Sequence, residues 1–344
     1  TRGPNRSYRA SSILTMNFPV ASNTLWGGKR YNGFNRILKQ TFGARVYKVG
    51  LRLEFTCPNR DGTVAVGGCI YCNNASHTPE TYRPRLGITE QLRQGADAVR
   101  KRHRAEKFIA YFQSYTNTYD SVSKLEKLYR EALEFPGVVG LSISTRPDCV
   151  PREVIELLTD LSRHTYLWLE LGLESMHDRT LQWVNRGHGV SEFITAVEEC
   201  KARGLRICTH LILGFPGESR ADMLATAPLL NRLGVDGVKL HNLHVIKNTA
   251  LERIYKAHPF EILRRDQYVG LVCDFLERLH PSTIIHRLTG ETYRALTVAP
   301  DWSINKMDVH NAIGHMLAAR NTWQGKLVRD NPGEMPEQFG SVSA

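Results

Sequence analysis

The sequence predicts an α/β protein folded as a partial, open parallel barrel, a (β/α)6 TIM-type barrel with extensions at both ends. Apolar strand-like runs alternate with amphipathic helical patterns along most of the 344 residues. Pro, Gly and Asp stand at the joints between these patterns. Polar residues close several strand-like runs, which is where parallel barrels carry their chemistry. Six or seven units indicate an open barrel.

Seven runs have the length and apolar character of strands, and five amphipathic patterns lie between them. The predicted strands are residues 45–53, 107–113, 138–144, 166–173, 205–213, 235–241 and 283–288. The predicted helices are residues 89–103, 121–134, 152–161, 191–202 and 220–233. Successive strand–helix units of this kind cross over right-handedly, and their strands form a parallel sheet.

Three cysteines in a glycine-punctuated loop after the first predicted strand form a candidate metal site. Eleven residues separate Cys57 from Cys69, and two residues separate Cys69 from Cys72. The two-residue gap brings two thiolates to one metal centre, and Gly67 and Gly68 permit the close approach of a third. Three thiolates leave one iron of an iron–sulfur cluster open to a small molecule, as a catalytic cluster requires.

Other interpretations of the cysteines stay open at this point. His77 could complete a Cys3His zinc site with the three loop cysteines. A disulfide framework is disfavoured, because seven cysteines is an odd number and a chain of this length does not depend on cross-links. The cysteines outside the loop have no partner spacing and are interpreted as small buried hydrophobic residues; they are Cys149, Cys200, Cys208 and Cys273.

Polar residues near the ends of several predicted strands fall into sets that share a face. These sets are Ser142, Ser144 and Arg146; Glu170, Gly172 and Glu174; and Lys239 and His241. If the opposite, apolar face of each strand packs on outer helices, the sets line the barrel interior. For any single residue an ion pair or a surface position is an equally good interpretation. The coincidence over five strands favours a hydrated or ligand-filled cavity.

The net charge of +11 is concentrated at the amino end, where residues 1–53 contain ten Lys or Arg and no Asp or Glu. Aromatic residues interleave with these cations. The segment is either an arm that binds a polyanion such as RNA or a leader followed by an ordinary surface helix. We predict a basic leader at 1–28, the barrel at 29–290 and a carboxyl-terminal extension at 291–344.

Apolar runs in the sequence fall short of the roughly 20 residues that span a membrane, and no signal-peptide pattern opens the chain. We therefore expect a cytoplasmic protein in a reducing environment, without a membrane partner.

Taken in order, the motifs resemble those of the radical S-adenosylmethionine (radical SAM) superfamily. The C-x11-C-x2-C loop, with Tyr71 inside its last pair, is followed by STRPD, ELGLES, NRGH and HLILGFPGE. RLTGE at 287–291 and APDWSINK at 299–306 extend the resemblance to the YhcC-like group related to the Elongator radical SAM subunit. The eleven-residue gap departs from the commoner three-residue gap of the superfamily, which leaves the loop shape open.

The resemblance implies an enzyme with a 4Fe-4S cluster on Cys57, Cys69 and Cys72 and S-adenosylmethionine bound at the open iron. Reductive cleavage of S-adenosylmethionine would give a 5'-deoxyadenosyl radical that abstracts hydrogen from an unreactive C–H bond. An electron donor such as flavodoxin or ferredoxin is implied as a partner. Elongator kinship and the basic amino end make tRNA or another RNA the candidate substrate. The alternative is a non-catalytic RNA-binding protein stabilised by zinc or an iron–sulfur cluster.

The resemblance also implies which residues contact S-adenosylmethionine. Tyr71 is expected at the adenine and Gln113 at the methionine amino group. Ser144 and Glu174 are expected along the methionine and ribose, and Arg186 of NRGH at the methionine carboxylate.

Further positions carry expectations from the same resemblance. His210 stands where related enzymes often have an acidic residue for the ribose. Leu213 and Gly214 would let the backbone approach the adenine. Lys239, His241 and His244 are candidates for contacting the substrate, because lysine and histidine suit a phosphate or carboxylate.

Overall fold

The computed structural model describes residues 25–73 and 86–328, and it contains the predicted parallel sheet. The strands are β1 (Val46–Leu51), β2 (Lys107–Phe112), β3 (Val138–Thr145), β4 (Tyr166–Glu174), β5 (Ile207–Leu213), β6 (Gly237–Asn242), β7 (Val245–Ile246), β8 (Ile284–Arg287) and β9 (Thr297–Ala299). Seven of them pair in parallel in the order β1-β2-β3-β4-β5-β6-β8 and curl into a half-barrel. The predicted open α/β barrel is thereby confirmed. β7 and β9 form a separate antiparallel pair.

Helices follow the strands as the periodicity predicts. They are α1 (Phe34–Phe42), α2 (Ile88–His103), α3 (Val122–Glu134), α4 (Arg152–His164), α5 (Asp178–Trp183), α6 (Val190–Ala202), α7 (Arg220–Leu224), α8 (Thr226–Leu233), α9 (Ala250–Ala257), α10 (Arg265–Arg278) and α11 (Lys306–Ala319). The helix predicted at 220–233 is divided at Ala225 into α7 and α8. Because α5, α9, α10 and α11 depend on tertiary packing, the repeated strand–helix pattern did not include them.

The two faces of the strands separate apolar from polar residues. Leu141 and Ile143 of β3, and Leu169 and Leu171 of β4, are fully buried in the main core with residues of the outer helices. Because side chains alternate along a strand, the intervening residues face the interior of the half-barrel. The strands therefore have an apolar face toward the outer helices and a polar face toward the interior, as the sequence predicts.

Helix α1 closes the amino-terminal end of the half-barrel. Phe34 stacks on His286 with ring centroids 3.8 Å apart and meets the edge of Trp168 at 5.7 Å. Phe34 and Trp168 belong to a buried group that we call the floor cluster. It consists of Phe34, Leu38, Val46, Ile109, Trp168 and Cys208. The strand residues in the floor cluster lie near the beginnings of their strands, so the carboxyl ends face the opposite side.

The described part of the carboxyl-terminal segment packs on the barrel. Val309, Ile313 and Leu317 of α11 are fully buried, and Cys273 of α10 donates to the carbonyl of Ile313 at 3.8 Å. The three-part division at 28 and 290 stays a prediction. Most of the predicted leader, residues 1–24, lies outside the described residues, as does His77. Within the described ranges, no helix is both long and apolar enough to cross a membrane.

Candidate active site

The cysteine loop turns back on itself between its first two cysteines. The Gly68 amide donates to the carbonyl of Asn59 at 2.7 Å, so the chain leaves and returns at the same point. Inside this excursion, Asp61 and Val66 form an antiparallel bridge. The amide of Cys72 then donates to the carbonyl of Cys69 at 2.9 Å. The long gap is therefore a closed hairpin-like turn, and it leaves Cys57 and Cys69 on either side of its neck.

Asn59 joins the cysteine loop to the NRGH segment. Its buried amide nitrogen lies 3.6 Å from Cys69 Sγ and 2.5 Å from the Asn185 carbonyl. Asn185 Nδ2 donates in return to the Gly68 carbonyl at 3.0 Å. Gly187 has a φ of +76°, and a Cβ there would lie 2.4 Å from Asn59 Oδ1. We call Asn59, Cys69, Asn185, Arg186 and Gly187 the loop junction.

Arg186 is buried at the loop junction among groups of opposite charge or dipole. Its Nη1 lies 3.7 Å from Cys69 Sγ, and its Nη2 donates to the Gly172 carbonyl at 2.8 Å. Its Nη2 is also 3.5 Å from Glu174 Oε1. Burial raises the pKa of Glu174, and Arg186 opposes that shift. Among the described residues the Nε of Arg186 has no hydrogen-bond partner.

Arg146 of STRPD holds the backbone of this segment. Its Nη1 donates to the Arg186 carbonyl at 2.8 Å, and its Nε and Nη2 bind both oxygens of Asp148 at 2.8 and 2.7 Å. The pair is bidentate and the guanidinium is 3% exposed, so its position is well defined. STRPD thus contributes to the site by fixing the NRGH turn.

Glu170, at the middle of β4, is the hub of the polar interior. Its carboxylate is fully buried and accepts from Ser142 Oγ at 2.5 Å, Ser144 Oγ at 3.0 Å and His210 Nε2 at 2.8 Å. Because an ionised carboxylate only accepts, His210 must carry a proton on Nε2. Burial and the charge of Lys239 lower the pKa of His210 to about 4, which keeps the ring neutral at neutral pH.

Two lysines balance the charge of Glu170. Lys48 Nζ lies 2.5 Å from Glu170 Oε1, and Lys239 Nζ contacts Oε2. Both ammonium groups also lie over the ring of Tyr111, at 4.6 and 4.4 Å from its centroid. Although burial opposes ionisation, Lys239 and Lys48 hold the pKa of Glu170 well below its usual range. Lys239, predicted to contact substrate, is therefore occupied by Glu170.

The remaining predicted cofactor residues lie around the loop junction and the end of β5. Tyr71 packs on Phe215 with centroids 6.0 Å apart, and its buried hydroxyl has no partner in the described chain. Gln113 is half-buried and lies over Gly50, where a Cβ would be 3.5 Å from its Cδ. The amide of Gly214 points to Met223 Sδ at 3.1 Å, and Leu213 is buried beside it.

The two candidate substrate histidines differ in their surroundings. The Nε2 of His244 lies 3.0 Å from Ser303 Oγ, so the ring is held by the APDWSINK segment. Asn242 accepts from Thr289 Oγ1 at 3.0 Å, which ties RLTGE to the end of β6. The buried Nε2 of His241, in contrast, has no partner within the described residues.

The cysteine loop has the donor chemistry of an iron–sulfur site. Cys57, Cys69 and Cys72 form no disulfide within the described residues, and burial followed by the neighbouring Cys69 raises the pKa of Cys72. Residues 25–73 and 86–328 contain no group of three or more His, Cys, Asp or Glu already arranged to hold a metal ion. The Asn59 and Arg186 donors near Cys69 Sγ suit a thiolate ligand, because donors of this kind stabilise its negative charge.

Comparison with known proteins identifies the family. The chain matches the Radical SAM superfamily over residues 59–230 and the Radical_SAM C-terminal domain over residues 235–319. It therefore belongs to the radical SAM superfamily and is an enzyme whose cofactors are a 4Fe-4S cluster and S-adenosylmethionine.

Close relatives support the predicted YhcC-like group. YtqA of Bacillus subtilis (strain 168) is 41% identical over 301 residues, which is 88% of this chain and 94% of YtqA. YhcC of Escherichia coli (strain K12) is 38% identical over 279 residues, 81% of this chain and 89% of YhcC.

More distant similarity confirms the Elongator relationship. The tRNA uridine(34) acetyltransferase of Dehalococcoides mccartyi is 26% identical over 258 residues, 64% of this chain and 55% of that protein. The solved Methanocaldococcus infernus Elp3 with an N-terminal deletion superposes with a TM-score of 0.61 at 18% identity. It covers 81% of this chain and 64% of the Elp3 chain, and it shows the shared fold.

Sequence reasoning gave no role to several residues that organise the site. Glu170 and Arg146 were visible as interior polar residues, but their partners depend on strand order and loop contacts. In the sequence Lys48 belongs to the basic amino end, but in the structure its side chain lies in the interior of the half-barrel. Asn59 had no signal beyond its position between two cysteines.

Proposed function

We propose that this enzyme binds its cluster through Cys57, Cys69 and Cys72, cleaves S-adenosylmethionine reductively and abstracts hydrogen from a nucleoside of tRNA. The observation that carries the proposal is the loop junction. It places Cys69 and Arg186, a candidate cluster ligand and the candidate partner of the methionine carboxylate, within 3.7 Å of each other. One buried site can therefore hold both cofactors.

A 4Fe-4S cluster held by Cys57, Cys69 and Cys72 would supply the electron for reductive cleavage of S-adenosylmethionine and so the radical chemistry. The protein binds S-adenosylmethionine and orients it. Arg186 offers a buried guanidinium to the methionine carboxylate, Gln113 is the partner of the methionine amino group, and Glu174 lies along the methionine and ribose. Tyr71, Leu213 and Gly214 form the apolar side of the adenine site.

Ser144 and His210 already donate to Glu170. We therefore assign them the role of shaping the wall of the cofactor pocket through that carboxylate. The floor cluster lies beyond this wall and excludes water from the amino-terminal end of the barrel.

Two observations favour tRNA as the substrate. One relative is a tRNA uridine(34) acetyltransferase, and ten cations without an acid stand in residues 1–53. Lys48 is an interior residue, so nine of these ten remain for contacts elsewhere. We place the reaction in the cytoplasm, where flavodoxin or ferredoxin can deliver the electron and the free cysteines stay reduced.

Anaerobic cluster reconstitution tests the cofactor part. Cys57→Ala, Cys69→Ala and Cys72→Ala should each abolish iron loading and 5'-deoxyadenosine formation, because each removes a thiolate ligand. Cys200→Ala is the matched control, since Cys200 is buried on α6 away from the loop. Full iron content in any loop variant would remove that cysteine from the site. A colourless protein with one zinc would support the non-catalytic alternative.

Salt-dependent binding tests the tRNA part. The logarithm of tRNA affinity should fall with the logarithm of salt concentration, as counterions are released from the RNA. Deleting residues 1–23, which contain three of the ten cations, should reduce both affinity and slope in part. Salt-insensitive or absent tRNA binding would direct the search to a small anionic substrate.

A further inference from the structure

The edge strand β8 ends on a charge that has no partner among the described residues. Arg287 is the last residue of β8 and pairs in register with Lys239 of β6. Lys239 is neutralised by Glu170, whereas Arg287 forms no hydrogen bond or ion pair with any described residue. A guanidinium on the interior side of a sheet attracts an anion when no acid compensates it.

His241 stands on the neighbouring strand with a free ring nitrogen. It lies two residues after Lys239 and thus on the same face of β6, with its ring 5.7 Å from that of His210. Burial, followed by the charge of Arg287, lowers its pKa well below the usual range. A neutral imidazole with a buried, unpartnered nitrogen is a hydrogen-bonding group in need of a ligand.

His310 on a third element, α11, interacts electrostatically with the same arginine. Burial and then the charges of Lys29, Lys306 and Arg287 lower the pKa of His310 on α11. The nearby acid, Glu291, is held by Lys306 through two contacts of 2.8 Å. We call Lys29, His241, Arg287 and His310 the edge cluster, and its two cations, Lys29 and Arg287, form no ion pair with any described residue.

We propose that the edge cluster binds an oxyanion of the substrate, a phosphate or a carboxylate, and so positions the reacting C–H bond toward the cofactor pocket. The guanidinium of Arg287 can donate two parallel hydrogen bonds to such a group, and His241 supplies a neutral donor from β6. Lys29 and His310 flank the group from outside the sheet. The assignment rests on the proposed function, because the anion belongs to the substrate of the radical reaction.

Titration calorimetry on the reconstituted enzyme with S-adenosylmethionine bound tests the site. Inorganic phosphate, acetate and bulk tRNA serve as separate probes at constant ionic strength. At least one oxyanion should bind the unaltered enzyme, and Arg287→Gln should weaken it at least about tenfold, the scale expected for a charge-assisted bond. The matched control is Arg232→Gln, which removes an equal charge from the exposed surface of α8 and should change nothing.

His310→Gln gives an independent test from α11 and should weaken the same oxyanion by a smaller factor. Equal oxyanion affinities in the unaltered enzyme, Arg287→Gln and Arg232→Gln, or no oxyanion binding at all, would overturn the site. Iron content and thermal unfolding show whether Arg287→Gln has failed to fold. In that case the oxyanion affinity of His310→Gln decides whether the site exists.

The tRNA probe separates this proposal from the proposed function. If Arg287→Gln weakens phosphate and tRNA in parallel, the anion is an RNA phosphate. If Arg287 controls oxyanion binding while tRNA does not bind, the edge cluster stands and the substrate is a small anionic molecule. If tRNA binds both proteins equally and neither oxyanion binds, the tRNA proposal stands and the edge cluster does not.

Discussion

The loop junction is a largely buried polar region and the edge cluster a partly exposed one, and they are built differently. At the loop junction, Asn59 donates to the Asn185 carbonyl, Asn185 donates to the Gly68 carbonyl, and Arg186 donates to the Gly172 carbonyl. In the edge cluster, the charge of Arg287 and the ring nitrogen of His241 have no partner in the described residues. The loop junction, which we propose for the cluster and S-adenosylmethionine, makes most of its hydrogen bonds within the protein. The edge cluster, which we propose for the substrate, leaves its donors available to a ligand.

Glu170 lies between the two regions, and its removal should have the largest effect. Glu170→Gln leaves Lys48 and Lys239 as buried cations without an acid. The free energy of unfolding should fall by about 3–5 kcal/mol, the cost of breaking a buried ion pair. Chemical denaturation of the apoprotein measures this change.

Glu126→Gln is the matched control for that variant, because it breaks an exposed pair with Arg130 on α3. It should change the free energy of unfolding far less. Adding Lys48→Met to Glu170→Gln should recover part of the loss, since one uncompensated cation is removed. Equal effects of Glu170→Gln and Glu126→Gln would show that the ion pairs of Glu170 do not stabilise the fold.

The loop junction predicts a smaller effect on cofactor binding. Arg186→Ala should weaken S-adenosylmethionine binding by about 1.5–3 kcal/mol, the scale of a hydrogen bond to a charged group. Iron content should stay near that of the unaltered enzyme, because Cys69 remains. Calorimetric titration measures the affinity, and Arg179→Ala, at an arginine that is 60% exposed, is the control. An unchanged affinity in Arg186→Ala would assign Arg186 to structure alone.

The smallest effect tests how closely the two loops fit. Gly187 and Gly204 have φ values of +76° and +75°, so Ala carries the same backbone strain at both. Only at Gly187 would the new Cβ meet Asn59, since Gly204 has open space around it. Gly187→Ala should therefore reduce the free energy of unfolding by about 1–2 kcal/mol more than Gly204→Ala, as overpacking does. Equal losses would mean that the turn adjusts freely.

Local sequence patterns predicted the frame of this molecule well. The period of two in β3 and β4 correctly grouped Ser142 with Ser144, both of which donate to Glu170. The period ends at Glu174, where the register shifts and φ is +67°. The spacing of the cysteines indicated a cluster loop, and the family comparison agrees with a radical SAM enzyme.

What the sequence could not predict is which interior groups meet. Lys48 and Glu170 are 122 residues apart, and Lys239 and Glu170 are 69 apart. Their contact follows from the curvature and register of the whole sheet, which no local window contains. The turn between Cys57 and Cys69 likewise depends on Asn185 and Gly187, more than a hundred residues away. His210 was expected at the ribose, yet its bond to Glu170 becomes visible only with the register of β4 and β5.

The floor cluster leaves the barrel interior accessible from one end. With Phe34 and Trp168 packed across the amino-terminal end, molecules reach the interior from the side where the strands terminate. A tRNA lying over that side would cover whatever is bound beneath it. If tRNA is the substrate, as proposed, we expect S-adenosylmethionine to be loaded before the RNA arrives, and methionine and 5'-deoxyadenosine to leave only after it departs.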